Sequence, residues 1–455
     1  MNKVKLGDCI ELIIDNRGKT PPLAETGYEL IETVSINGSN KYPDYSKITK
    51  FVSEETYNTW FRKGHPTSGD ILISTVGMNI GDVVIMKSNR GSIAQNLIAL
   101  RTNNKLNSDY LYYILTSKNI REKIRSLNIG SAQPSLKVPH LLNIEFYLPN
   151  IEKQSEISKI LNELDEKIEI NTQINQTLEQ IAQTIFKSWF IDFDPVHAKA
   201  NARASGQTLE QATQAAMAEI SGKNTQELHR LQTANPEQYQ QLWEIAEAFP
   251  SGFDEEGVPR GWEEKPLPEL IDFLEGPGIR NWQYTEEEDG IKFINIRCIK
   301  NGDLSLETAN KITREEAFGK YAHFQLKEDD IVISTSGTLG RFALVRNEHL
   351  PLCLNTSVIR FRPIENKSTL AFLLGLASNQ LQYELEARAS GSVQRNFGPT
   401  HLKQISVLLP DFYLLSLHNK YISTLFELRK SNLRENDLLM KTRDVLLPKL
   451  LSGEV

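Results

Sequence analysis

The chain repeats itself, and this constrains its fold more than any other feature of its 455 residues. Ile71-Leu72-Ile73-Ser74-Thr75 returns as Ile331-Val332-Ile333-Ser334-Thr335, 260 positions later. Gly130-Ser131-Ala132-Gln133 returns as Gly391-Ser392-Val393-Gln394 at a spacing of 261. His140-Leu141 and Leu148-Pro149 return at that same spacing as His401-Leu402 and Leu409-Pro410. Asn96 and Arg101 match Asn355 and Arg360 at 259. Ordered matches at one such spacing mean a duplicated domain, not a solenoid.

Each half reads as a mixed region of short strands, glycine turns and a few helices. Ile71–Ser74 and Val83–Met86 read as strands around a turn bearing Gly77 and Gly81, and a helix is expected from Ser108 to Ser117 and on past Arg121. After Leu148-Pro149 the composition changes: residues 151–190 contain no glycine and no proline. Apolar residues there follow a 4-3 spacing, Ile157, Leu161, Leu164, Ile168, then Leu178 and Ile185. The repeat mates are His418, Ile422, Leu425, Arg429, Leu439 and Leu446. Both stretches read as long amphipathic helices with coiled-coil-like seams. Asn171 and Asn175, with their mates Asn432 and Asn436, are expected on the seam, where polar residues fix register. The competing reading is that each helix packs only on its own domain and the asparagines face solvent. The expected fold is mixed α+β: two duplicated α/β domains joined by two long helices that form an antiparallel coiled coil. The expected boundaries are 1–150 and 261–410 for the domains, 151–190 and 411–455 for the helices, and 191–260 for a connector.

The first long helix and the connector together hold the acidity. The net charge is −7, yet residues 151–260 alone carry 18 acidic against 9 basic residues, while 1–150 carry 14 against 18. Global charge therefore says little about a local face. Thr208 with Gln211 is a possible capping box and Asn235-Pro236 a helix start, so two short helices are expected. An acidic connector is the plain reading and partner docking the alternative. No apolar run approaches 18 residues, and charge interrupts the start before a signal-peptide core forms. Cys9, Cys298 and Cys353 lie far apart and make no CxxC pair, so a reduced, cytoplasmic protein is expected, without a zinc ribbon.

No catalytic or metal-binding set emerges. Phosphate-loop, GxSxG and HExxH motifs are missing from the sequence. Asp165-Glu166-Lys167 reads as an ordinary outer helix face, and Asn235-Pro236-Glu237-Gln238-Tyr239 as a helix cap rather than a methyltransferase signature. What remains is a set of polar, glycine-linked loops at matching places. In the first half the candidates are Arg17, Lys19, Ser74, Thr75, Asn79, Gln95, Asn96 and Gln133. In the second they are Arg280, Asn281, Ser334, Thr335, Ser336, Thr338, Arg341, Asn355, Gln394, Arg395 and Asn396. Arginine reads guanine, asparagine or glutamine reads adenine, and serine or threonine reads either. Each loop taken singly also reads as a plain turn. Around Gln133 and Gln394 a shared frame carries altered tips, as two readers of different sequences require.

These residues carry a resemblance. Gly-Asp-Ile-Leu-Ile-Ser-Thr at 69–75, Asp-Asp-Ile-Val-Ile-Ser-Thr at 329–335 and the two Gly-Ser-x-Gln elements contribute to it. So do Ile185-Phe186-Lys187-Ser188-Trp189-Phe190-Ile191-Asp192-Phe193-Asp194-Pro195 and Leu446-Leu447-Pro448-Lys449-Leu450-Leu451-Ser452-Gly453. Over nearly its whole length the chain resembles the DNA-specificity subunit of type I restriction-modification systems. The resemblance implies two target-recognition domains, each reading half of a split double-stranded DNA site, with the paired helices as a ruler. It implies docking of two methyltransferase subunits and of motor-nuclease restriction subunits in phage defence. S-adenosylmethionine, ATP and Mg²⁺ are then expected on those partners, with no cofactor and no catalytic residue in this chain. Two other readings stay open: the recognition subunit of a related nuclease-methyltransferase system, and a stand-alone duplicated DNA-binding regulator.

Overall fold

The computed structural model describes residues 2–36, 40–77, 79–127, 135–337, 339–388 and 398–452. No helix among them is long and apolar enough to cross a membrane. The chain divides into two compact units, Met1–Ile170 with Glu435–Val455, and Asn171–Arg434. Each long helix therefore contributes to both units. Each unit takes one of the repeated halves and a stretch of both helices, whose apolar faces join that half's core.

Both halves build the same sheets. In the first, β1 (Ile10–Ile14), β2 (Ile71–Ser74), β3 (Val83–Ile85) and β4 (Leu97–Thr102) form an antiparallel sheet in the order β1-β4-β2-β3. In the second, β5 (Ile271–Glu275), β6 (Ile331–Ser334), β7 (Phe342–Leu344) and β8 (Val358–Pro363) form the order β5-β8-β6-β7. Beside each lies a three-stranded sheet centred on Tyr28–Ile31 or Ile291–Ile294. The ends of each half pair antiparallel, Asn2–Lys5 with Glu145–Leu148 and Glu263–Pro266 with Ser406–Leu409.

The repeated Asp-Ile-x-Ile-Ser-Thr segment has a structural reason. Ile71 and Ile73 face one core and Leu72 the other, as Ile331, Ile333 and Val332 do. A strand covered on both faces is apolar throughout. The aspartate ahead of it is buried and accepts a turn N–H, Thr67 to Asp70 and Lys327 to Asp330, each at 2.7 Å. It also receives a two-pronged arginine: Arg101 on Asp70 at 2.9 and 2.8 Å, and Arg362 on Asp330 at 2.7 and 2.9 Å. This corrects the repeat register. The counterpart of Arg101 is Arg362, at a spacing of 261, and not Arg360. Arg360 pairs with Val332 in the sheet, where the first half pairs Ala99 with Leu72. The identity at 259 was coincidental, since β8 alternates arginines.

The expected helix over 108–121 is two, Ser108–Thr116 and Lys118–Ser126, because Ser117 is extended at φ −62°, ψ 142°. The long helices are α1 (Ile151–Phe190) and, at the other end of the chain, a helix at Phe412–Ser452. Four helices lie between α1 and the second half, rather than two: α2 (Asp194–Ala204), α3 (Leu209–Ser221), α4 (Thr225–Ala234) and α5 (Pro236–Ala248). The Thr208–Gln211 capping box and the Asn235 cap with Pro236 at the first turn are present. Asn224 and Glu227 make another box ahead of α4. Lys199 of α2 is buried, and its ammonium donates to the carbonyls of Ala246, Glu247 and Phe249 at 3.0, 3.2 and 2.5 Å. A cation there satisfies the C-terminal carbonyls of α5. Burial pulls this amine down to about 8.

The helix at Phe412–Ser452, α6, runs antiparallel to α1. In the first unit Asp165 accepts from Arg443 at 2.9 Å and Lys167 pairs with Glu435 at 3.2 Å. In the second, Asn432 donates to Asn175 at 3.0 Å and Arg429 lies 3.9 Å from Glu179. Numbers rise along one helix as they fall along the other. All four seam asparagines are buried, which overturns their solvent-facing alternative. Asp165 also turns inward, accepting from the Tyr113 hydroxyl at 2.7 Å, so it is no outer-face residue. Ile157 and Leu161 belong to the first core. His418, the mate of Ile157, lies buried among Phe186, Trp189 and Phe190, and neither ring nitrogen has a hydrogen-bond partner among the described residues.

Candidate DNA-recognition interface

Antiparallel pairing sets which loops share an edge. β1 and β2 end where β4 begins, since Ile14 pairs with Ala99 and Ser74 with Leu97. Loops 15–20, 75–81 and 94–96 therefore emerge at one end of the sheet. The backbone stitches them: Thr75 N–H donates to Asn96 O at 2.8 Å, and Leu136 N–H to Thr75 O at 2.8 Å. The second bond brings in the segment that follows Gln133. The Gln95 side chain donates to Thr20 Oγ1 at 2.6 Å.

Within this cluster the candidates divide. Lys19, Asn79, Gln95 and Asn96 are exposed. Arg17 is half-buried and forked on Asp15, Nε to Oδ1 at 2.8 Å and Nη2 to Oδ2 at 2.6 Å. That hydrogen bonding holds the Asp15 carboxyl below its usual range. The salt bridge pre-orients the guanidinium, whose third nitrogen lies 3.4 Å from Thr75 Oγ1. Ser74 and Thr75 are fully buried, and the Thr75 hydroxyl donates to Asn96 O at 3.1 Å. They frame the loops and present nothing to solvent. Gln133 lies outside the described residues.

The second half repeats the arrangement at the ends of β5 and β6 and the start of β8. Thr335 N–H donates to Ser357 O at 2.9 Å, the counterpart of the Thr75–Asn96 bond. Arg280, Asn281 and Arg341 are exposed and Ser336 is half-buried. Ser334, Thr335 and Asn355 are buried. The Ser334 hydroxyl accepts from Arg341 N–H at 2.9 Å, and the Asn355 amide donates to the Tyr284 hydroxyl at 3.4 Å. Asn355 is thus a brace for its loop. Thr338, Gln394, Arg395 and Asn396 lie outside the described residues.

Two features escaped the sequence reading. Asn16 is buried and clamps another turn to this edge, donating to Gly64 O at 3.1 Å and accepting from Lys63 N–H at 3.2 Å. That places the exposed pair Arg62-Lys63 beside Arg17 and Lys19. In the second half Gln283 donates to the Tyr321 hydroxyl at 3.1 Å, joining loop 319–323 to loop 276–285, which carries an exposed tryptophan, Trp282. No motif marks either feature. Contacts some 40 residues apart create both.

Two copies of one rigid frame, each gathering variable polar loops at one sheet edge, define a protein with paired recognition domains. The sequence model of the type I restriction modification DNA specificity domain matches residues 1–180 and again 259–428. The chain belongs to that family and carries its domain twice. Among curated relatives, the type I restriction enzyme HindI specificity subunit of Haemophilus influenzae is 33% identical over 85% of this chain and 86% of that protein. The MjaIX specificity subunit of Methanocaldococcus jannaschii is 24% identical over 76% of this chain and 69% of that protein. Among solved structures, the type I restriction-modification S subunit from M. genitalium covers 99% of this chain and 95% of its own, with 16% identity and a TM-score of 0.49.

Proposed function

We propose that this chain is the non-catalytic DNA-reading subunit of a type I restriction-modification complex, with each recognition domain reading half of a split site. One observation carries the reading: the same strand frame occurs twice with different loop chemistry. The first edge offers Arg17, Lys19, Arg62, Lys63 and Gln95, and the second Arg280, Asn281 and Trp282. A shared frame sets how a domain sits on a duplex, and altered tips set which bases it accepts.

Docking of two methyltransferase subunits and of motor-nuclease subunits follows from the family. S-adenosylmethionine, ATP and Mg²⁺ then belong to those partners, and the complex works in the cytoplasm on double-stranded DNA. The antiparallel helix pair acts as the spacer between readers. Long-read methylation sequencing of the host genome, with and without the gene, tests this. Loss of adenine methylation at one split motif is expected on deletion. An unchanged methylome while the partner methyltransferase is expressed would overturn it.

A further inference from the structure

The loop after β5 presents a tryptophan that the fold does not use. Trp282 is 77% exposed. Of the other four tryptophans, all among the described residues, Trp189 and Trp262 are buried and Trp60 and Trp243 half-buried. A lone exposed apolar residue is ordinary on a protein surface. Here the surroundings are not. The backbone is fixed on both sides of the indole. Gly276 sits so close to Asn355 that a Cβ would lie 2.1 Å from its carbonyl oxygen, so only glycine fits. Thr356 N–H donates to Pro277 O at 3.1 Å, and Arg280 N–H to the Gln283 side chain at 3.0 Å. Ile279 and Tyr284 pack against the buried cluster of Phe293, Tyr321 and Cys353. The loop is held without the indole's help, and the indole is exposed next in sequence to Arg280 and Asn281, which are exposed too.

Ordering costs are therefore met during folding, and a side chain with two torsions loses little more on contact. A cation, an amide and a flat apolar surface in consecutive positions match what the major groove shows: guanine acceptors, the adenine edge and the thymine methyl. We propose that Trp282 is a specificity determinant of the second half-site, laying its indole against a thymine methyl in the major groove. This rests on the DNA-reading assignment above. At the repeat spacing of 261 the first half has Pro21, which is buried, so Trp282 has no aromatic counterpart at that position.

The test uses the assembled complex of this chain with its methyltransferase subunits, on duplexes carrying the mapped split motif. Trp282→Ala is expected to weaken binding about tenfold, in the range of one base contact, while Trp282→Phe retains most of it. Replacing thymines of the second half-site one at a time by uracil removes only the C5 methyl. One such change is expected to weaken the wild type and leave Trp282→Ala unaffected. Acrylamide quenching of tryptophan fluorescence is expected to fall on DNA binding in the wild type and not in Trp282→Phe. Trp282→Ala binding within twofold of wild type would overturn the proposal. So would uracil scanning without coupling to this residue, a second half-site without an A·T pair, or loss of methyltransferase subunits from the variant on size exclusion, which would make Trp282 a protein contact. A wild-type complex that prefers the split motif no more than a scrambled duplex would instead defeat the DNA-reading assignment.

Discussion

Asn432 donates its side-chain amide to Asn175 across the paired helices at 3.0 Å, and both residues are buried. An apolar pair there would pack as well in several registers. The bond from Asn432 Nδ2 to Asn175 Oδ1 forms in one, so the pair selects alignment, at a cost in stability that includes a buried Asn175 Nδ2 without a partner among the described residues. Asn175→Leu or Asn432→Leu alone leaves the other amide buried without its partner, and each is expected to cost about 1–3 kcal/mol. The double leucine variant is expected to recover most of that loss in urea denaturation. Recovery of stability with a broadened spacing in the methylated motif would be the signature of a register device. A double variant as unstable as the singles would rule it out.

The helix pair as spacer makes a second prediction. A heptad of α-helix spans about 10 Å, or roughly three base pairs. Deleting one heptad from both α1 and α6 is expected to shift the gap of the methylated motif while both half-sites keep their sequence. A motif with the original gap would refute the spacer role.

Asp70 and Asp330 hold the two frames together. Each is buried, bonded to a turn N–H and forked by an arginine. Asp70→Ala leaves the turn N–H without its acceptor and Arg101 without its carboxylate. A loss of about 2–4 kcal/mol is expected in urea denaturation. Asp330→Ala is expected to behave alike. Arg360→Ala, at the position that is Ala99 in the first half, is the informative contrast with Arg362→Ala: the register predicts that only Arg362→Ala mimics Asp330→Ala.

His418 gives a pH dependence. Burial among aromatic rings pulls its imidazole from 6.5 down to about 3. Above about pH 6.5 neither the folded nor the unfolded chain carries this proton. Below it only the unfolded chain takes it up, so stability falls as pH falls, by up to about 1.4 kcal/mol per pH unit until about pH 3. His418→Ile installs the side chain found at its repeat mate Ile157 and removes two unpartnered nitrogens. It is expected to raise stability by about 1–3 kcal/mol at pH 7 and to flatten the acid limb. Equal slopes for the two proteins between pH 4 and 6.5 would exclude this assignment.

The basic edge of the first half predicts a salt effect. Arg62→Ala and Lys63→Ala are each expected to lower the slope of log binding constant against log salt by about one, without changing the preferred sequence. Lys47→Ala, which removes the partner of Asp44 away from that edge, serves as the control. An unchanged slope would place the pair away from the phosphates.

The duplication, the two long helices and the seam asparagines were legible in sequence because each rests on local pattern. A strand with both faces covered needs a run such as Ile71-Leu72-Ile73, and a helix seam needs a 4-3 spacing, wherever the chain goes next. The same sequence could not sort the loop residues. Ser74, Thr75, Ser334, Thr335 and Asn355 have the chemistry of base readers, yet all five are buried, and the hydroxyls of Ser74, Thr75 and Ser334 bond to backbone groups. Arg62, Lys63 and Trp282 look like ordinary surface residues and reach the recognition edge only through clamps by Asn16 and Gln283. The choice of Arg362 over Arg360 as the partner of Asp330 likewise depended on strand register, which sets the face each side chain takes. Local periodicity determined what this protein is built from. Which polar groups are spent on the fold and which are left for a partner was decided only by contacts between distant segments, because only those contacts fix burial.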